Sequence, residues 1–465
     1  MDLKTVLADI ADYAVTRREG DVDRPHRPAQ TYAEALAAFD LTLDGEDGGT
    51  VIEALRQRAE PGLAAMTGPR FFGWVIGASH PVGMAADWLT SVWGQNAGNH
   101  LASPAAAAAE EASAGALLEL MDLPRDASVG FVTGATMANF TCLAVARGEV
   151  LRRAGWDVEA DGLFGAPAIT VVLGDDAHST VFAALKFLGL GFKRVVRVAT
   201  DGNGAMLADD FRQVMADISG PAIVIAQAGQ INSGAFDPFV DIVAAAHAKG
   251  AWVHVDGAFG LWARASTSRR HLAAGIDGAD SWAVDGHKWL QTPYDCGYAI
   301  VRDRAAHHRA MQIAASYLPT SDGDERNPSD FVPELSRRAR GFATWALLRH
   351  LGRDGIDDMV TTACDLARRF ADRLAAEPDI AIVNDVVLNQ VAVRLGSDLD
   401  GETADRLTKA AIARIQSDGV CFVGGASWRG AWIIRLSLSG HATTQSDVDA
   451  SADAIIAAWR AVKAP

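Results

Sequence analysis

Between residues 128 and 301 the chain alternates short, continuously apolar runs with longer segments of helical period. "VGFVT" precedes "MANFTCLAVARGEVLRRAG", "AITVVLG" precedes "STVFAALKFLG", "RVVRV" precedes "ADDFRQVMADIS" and "AIVIAQAG" precedes "PFVDIVAAAHAKG". "AWVHVDG" and "SWAVD" complete the series. Runs that are apolar throughout suit strands buried on both faces, with the helices between them as crossovers. The pattern predicts an α/β domain around a mostly parallel sheet, in which ligands meet the carboxyl ends of the strands. Ahead of it, "SPAAAAAEEASAGALLELMDLP" (Ser103–Pro124) predicts a helix capped by Ser103, with Pro104 at its first position and Pro124 beyond its end.

The first hundred residues read as helical and irregular, with aromatic clusters at "RFFGWV" and "DWLTSVWG". Ala314 to Phe331 is polar and rich in Pro, Gly and Asp, and reads as a long loop. A smaller domain begins near Gly352, with "NQVAVRL", "GVCFVGG" and "AWIIRLSLS" as strands and "SDVDASADAIIAAWRAV" as a closing helix. The expected division is an N-terminal segment at 1–100, a large domain at 101–351 and a small one at 352–465. A length of 465 residues agrees, being too great for one compact core.

A formal charge of −16 argues against a nucleic-acid partner, which needs a basic face, but not against small anions held by local groups. Cys142, Cys296, Cys364 and Cys421 lie far apart with no C-x-x-C pair, which suits reduced thiols rather than disulfides or a zinc site. No metal is expected. "MDLKTVLADIADYAVTRREG" is an acid-bearing amphipathic helix, not a signal peptide, and no apolar run approaches the ~20 residues of a membrane helix. The expectation is a cytoplasmic protein that needs no membrane.

Four strand ends carry polar chemistry. "VGFVT" leads into Gly134, Ala135 and Thr136 at a helix start, where open backbone N–H groups and a hydroxyl suit a phosphate. "AITVVLG" leads to His178, and "AWVHV" ends on Asp256, an acid that must meet a cation or several donors if buried. "SWAV" leads to "DGHK", which places His287 and Lys288 in a connection. Alone, each has an ordinary reading: packing at a turn, a helix cap, a solvated lysine. Together they match the needs of pyridoxal phosphate: a phosphate cup, a stacking imidazole, an acid for the ring nitrogen and a lysine for the Schiff base.

The chain resembles the group II pyridoxal-phosphate-dependent decarboxylases, which include aromatic-amino-acid and glutamate decarboxylases. The resemblance runs from "GPRFFGWVIGASHPVGMAADWLTSVWGQNAGNHLASPA" through "TGATMANF", "DDAHST", "GAFDP", "HVDGAFG" and "GHKW" to "SYLP", "ELSRRARGF" and "IIRLSL". It implies the aspartate-aminotransferase fold (fold type I), with a seven-stranded mostly parallel sheet and a small C-terminal α/β domain. A homodimer is implied too, with the N-terminal segment at its interface. Lys288 becomes the Schiff-base lysine, Asp256 the partner of the pyridine nitrogen and His178 the ring-stacking residue. Gly134, Ala135, Thr136 and His287 lie around the phosphate. Trp74 and His80 fall in the substrate-lining segment. Arg435, mid-strand in "IIRLSL", either faces the substrate carboxylate or pairs with a buried acid.

This chain has "DGHK" where family members often read "NPHK", which sets the carboxylate of Asp285 near the expected phosphate. It either points away or leaves the phosphate to other donors. "AGQINSGAFDP" likewise has Gln230, Ile231 and Asn232 where many relatives carry threonines. Tyr317 stands where the family protonates Cα after CO2 has left, a position at which aldehyde-forming relatives often carry Phe. The expected activity is therefore decarboxylation of an L-amino acid to CO2 and an amine. An aldehyde synthase or carbon–carbon lyase on the same cofactor is the alternative, and a non-catalytic regulatory module is the third reading.

Overall fold

The computed structural model describes residues 3–41, 43–313 and 325–464. By contact the chain divides into two units, one of Met1–Ala78, Leu366–Val383 and Val391–Pro465, the other of Ser79–Asp365 and Asn384–Gln390. Helices α1 (Leu3–Glu19), α2 (Tyr32–Ala38) and α3 (Gly48–Ala59) open the chain, followed by α4 (Pro81–Trp93) and α5 (Pro104–Leu120). Ser103 stands at the N-cap of α5 as expected, but its hydroxyl makes no capping bond.

The second unit is built on seven strands: β1 (Ser128–Val132), β2 (Thr170–Gly174), β3 (Val196–Val198), β4 (Ala222–Gln227), β5 (Trp252–Asp256), β6 (Ser281–Asp285) and β7 (Gly297–Val301). Their order is β1-β7-β6-β5-β4-β2-β3. Only β7 runs antiparallel to its neighbours, β1 and β6. Every residue of β1, β4, β5, β6 and β7 is buried, which explains why those runs are apolar without alternation. Phe131 is one such fully buried side chain, and burial of that kind contributes about 1.5–3 kcal/mol each.

Crossover helices cover the sheet: α6 (Ala135–Arg153), the short α7 (Val158–Asp161), α8 (Ser179–Phe187), α9 (Ala208–Asp217) and α10 (Phe239–His247). After β7 come α11 (Arg304–Met311) and α12 (Gly341–Ala375), the latter broken at Gly352. The "RVVRV" run shrinks to three residues because β3 is an edge strand that pairs only with β2.

The polar run from Ala314 to Phe331 is not a loop throughout. Its described end holds a short helix, Pro328–Phe331, with Arg326, Asn327 and Phe331 buried. The Arg326 guanidinium donates to Val129 O and lies 4.6 Å over the Phe331 ring, which ties the segment to β1.

In the first unit, β8 (Ile380–Ile382), β9 (Gln390–Leu395), β10 (Gly424–Trp428) and β11 (Ala431–Ser437) form a sheet ordered β10-β11-β9-β8. Helices α13 (Gly401–Asp418) and α14 (Gln445–Lys463) complete it. The expected strand "GVCFVGG" begins only at Gly424. The backbone before it is claimed by the 70–72 segment: Phe422 N–H donates to Arg70 O at 3.0 Å, and Phe72 N–H to Phe422 O at 2.9 Å. Among the described residues no helix is long and apolar enough to cross a membrane.

Candidate active site

Lys288 is presented by the turn that follows β6. Gly286–Leu290 forms a single π-type turn, and Gln291 closes it at φ 59° with its N–H on Lys288 O at 3.2 Å. Such widened turns collect at functional sites. Gly286 is needed there, because a Cβ would stand 2.5 Å from the Oη of buried Tyr298. The Lys288 side chain is only 16 % exposed, with Nζ 3.0 Å from Asp285 Oδ2 and 5.8 Å from the centre of the Phe259 ring.

His287 packs against Tyr294 at 4.2 Å between ring centres. Its Nδ1 accepts the Cys296 N–H at 3.2 Å, so the ring proton belongs on Nε2, which faces Asp285 Oδ1 at 3.4 Å. Burial pushes its pKa down, against the pull of the Asp285 carboxylate. Asp285 does not point away from the expected phosphate position. Its Oδ1 accepts the Ala135 N–H, at the first turn of α6, at 2.6 Å. Gly134 is buried before that turn, and Thr136 is exposed just inside it.

Asp256 ends β5, the parallel neighbour of β6. It is 4 % exposed, and its donors are neutral: Ala258 N–H at 3.3 Å on Oδ1 and Asn139 Nδ2 at 3.2 Å on Oδ2. Asn139 is itself oriented by a buried relay. Trp252 Nε1 donates to Ser281 Oγ (2.9 Å), Ser281 Oγ meets His254 Nδ1 (3.0 Å), and His254 Nε2 meets Asn139 Oδ1 (2.9 Å). A neutral His254 fits these directions, accepting the Ser281 hydroxyl proton at Nδ1 and donating from Nε2, and burial pushes its pKa down to about 3.

His178 caps α8 and hydrogen-bonds Thr180 Oγ1 at 2.8 Å, while Thr180 lies 3.4 Å from Asn139 Nδ2. His178, Gln227, Asp237 and Asp256 line one small hollow. Gln230 serves its own turn by accepting the Asn232 and Ser233 N–H groups.

The structure thus brings together Gly134, Ala135, His287 and Lys288 around Asp285, and joins His178 to Asp256 through Thr180 and Asn139. His80 caps α4, its Nδ1 accepting the Val82 N–H at 3.2 Å, with its ring 5.2 Å from that of His350. Trp74 and Arg435 belong to the other unit. There Trp74 stacks on Phe71 and Phe422, and Arg435 is buried on β11 opposite Gly424, where desolvation lowers its pKa. Tyr317 lies outside the described residues. The sequence reading missed Asn139, Thr180, His254 and Ser281. A signal existed for two of them: His254 stands two residues before Asp256 on one strand, hence on the same face, and Asn139 follows Ala135 by four on one helix.

Two observations suit pyridoxal phosphate. A Cβ on Gly134 would stand 2.8 Å from His287 Cε1 and 3.2 Å from Asp285 Oδ1, so its absence leaves a cradle between helix start and turn. Asp256 is a buried acid with neutral donors, the complement of a protonated ring nitrogen.

Residues 31–396 match the pyridoxal-dependent decarboxylase conserved domain. The aromatic-L-amino-acid decarboxylase of Bacillus atrophaeus is 26 % identical over 412 residues, covering 86 % of this chain and 84 % of the relative. The L-2,4-diaminobutyrate decarboxylase of Rhizobium meliloti (strain 1021) is 28 % identical over 379 residues, covering 80 % and 74 %. The structure of Oryza sativa TDC with PLP and tryptamine superposes with a TM-score of 0.91 at 22 % identity, over 99 % of this chain and 98 % of that one. That likeness is one of fold, and it agrees with the fold-type-I expectation.

Proposed function

Because the chain belongs to the pyridoxal-dependent decarboxylase family, we propose that this site performs the family's reaction on an L-amino acid, releasing CO2 and the amine. The observation that carries the reading is placement. Lys288, Asp256 and His178 follow or end β6, β5 and β2 at their carboxyl ends, and the last two line one hollow.

When bound, pyridoxal phosphate supplies a carbonyl for amines and a cationic ring that draws electrons from bonds at the substrate Cα. Lys288 would carry it. Asp256, held by Asn139 and Ala258, would keep the ring nitrogen protonated, and His178 would lie against the ring. Gly134, Ala135, Thr136 and His287 would hold the phosphate. Tyr317 would return a proton to Cα, and substrate contacts by Trp74, His80 and Arg435 rest on the sequence resemblance.

Incubation with pyridoxal phosphate and a panel of amino acids, 2,4-diaminobutyrate included, tests the reading. Equal yields of CO2 and amine from at least one are expected. Aldehyde and peroxide in place of amine would point to the oxidative alternative, and no CO2 from any would refute the reading.

A homodimer is part of the proposal. α1, α2 and the segment after it expose large apolar side chains, Leu3, Tyr32, Leu36, Leu41 and Leu43 among them, each at least 60 % accessible. Apolar surface on that scale suits cover by a second copy. Sedimentation showing a stable, active monomer would refute it. Four buried free thiols support a reducing, cytoplasmic location, which cell fractionation checks.

A further inference from the structure

The expected phosphate cup already meets an anion of the chain's own. Asp285 ends β6 with its backbone held on both sides: its N–H donates to Ala258 O at 2.9 Å, and its C=O accepts from Trp262 Nε1 at 2.9 Å. From this anchored position the side chain reaches the start of α6. Oδ1 takes the Ala135 N–H at 2.6 Å, with His287 Nε2 at 3.4 Å, and Oδ2 lies 3.0 Å from Lys288 Nζ. The residue is 2 % exposed. One buried carboxylate therefore engages three groups that the cofactor reading assigns to the phosphate and to the cofactor's attachment point.

A helix start favours any anion, through its unpaired N–H groups and the positive end of the helix dipole. Two anions at that point repel each other, and the repulsion is strong where water is excluded. The single Ala135 N–H cannot serve Asp285 at 2.6 Å and a phosphate oxygen equally well. Resting on the cofactor reading above, we propose that Asp285 is a positioning residue and a built-in competitor of the cofactor phosphate. Its carboxylate holds the Ala135 N–H, His287 and Lys288 in place in the cofactor-free chain, and loading exchanges that carboxylate for the phosphate. Asp285 thus sets how tightly the cofactor is held, and keeps the cup assembled before it arrives.

Inorganic phosphate is the probe, added to the full chain stripped of cofactor and read by calorimetry and by the thermal midpoint. Asp285→Asn and Asp285→Ala are both expected to lower the midpoint without phosphate. Both are expected to bind phosphate about tenfold more tightly than wild type, roughly the worth of one hydrogen bond to a charged group. Asp285→Ala brings no new donor, so a gain confined to Asp285→Asn would come from the amide and overturn the competition. Unchanged or weaker phosphate binding in both variants, or variants that stay unfolded even with phosphate present, overturns it as well. Fixation of pyridoxal phosphate on Lys288 of the wild-type chain is read separately. Failure there sinks the cofactor reading, while the inorganic phosphate result still decides the role of Asp285.

Discussion

Asn139→Leu keeps the branched outline of a fully buried side chain and removes its amide. Two buried groups then lose a partner: the Asp256 carboxylate loses a donor at 3.2 Å, and His254 Nε2–H loses its acceptor at 2.9 Å. A hydrogen bond to a charged group contributes about 1.5–3 kcal/mol, and an orphaned buried donor costs about 1–3. The two share one side chain and do not add fully, so the expected loss is about 3 kcal/mol. Urea unfolding of the cofactor-free chain measures it as a lower midpoint at unchanged slope. Affinity for pyridoxal phosphate should fall roughly tenfold or more, because Asp256 loses the donor that fixes its orientation. Adding His254→Phe should cost less than the sum of the two single changes, since the apolar pair leaves no orphan between them. A loss below about 1 kcal/mol, or full additivity in the double variant, would refute the relay as the support of Asp256.

Three further outcomes are expected. Borohydride reduction of the loaded protein should fix the pyridoxyl group on Lys288 in peptide maps, and Lys288→Ala should fold but retain none; label on another lysine would defeat the assignment. Tyr317→Phe should keep cofactor and substrate binding but lose amine formation by roughly 10²–10⁴-fold, the usual worth of general acid catalysis. Unchanged amine yield would make Tyr317 a bystander. Glu149→Gln should cost about 1–3 kcal/mol at pH 7, because its buried carboxylate accepts from Arg152, Arg153 and Arg309 at 2.8–3.0 Å. The Arg152 hydrogen bonds, chiefly, hold its pKa down to about 2 against an unfolded value of about 4.3. A depressed carboxylate stabilises above the unfolded value and loses that contribution as pH falls through the folded one. The gap between wild type and mutant should therefore shrink steadily as pH falls below about 4, and an undiminished gap at pH 2 would contradict the ion-pair origin.

Much of the second unit was legible along the chain. A strand buried on both faces must be largely apolar, so β4, β5 and β6 announce themselves, and the polar residue that ends each run marks a carboxyl end. Lys288, Asp256 and His178 were singled out as candidates in this way. The same logic failed where long-range partners intervene. "GVCFVGG" has a strand's composition, yet its backbone pairs with residues 70–72, some 350 positions earlier in the chain. Ser103 has a cap's composition and makes no capping bond.

The link from His254 to Asn139 spans 115 residues and exists because α6 packs across β5. The direction of Asp285 was the sharpest gap. Local sequence places a carboxylate beside the expected phosphate and leaves open whether it turns toward the cup. The answer required the antiparallel β7 to flank β6 and the start of α6 to lie beside that strand end. Hydrophobic period is a local property, so the amino-acid order specifies which residues are buried and where strands end. Which ends become neighbours depends on strand order and helix packing, and those are settled only when distant segments compete to bury the same surface.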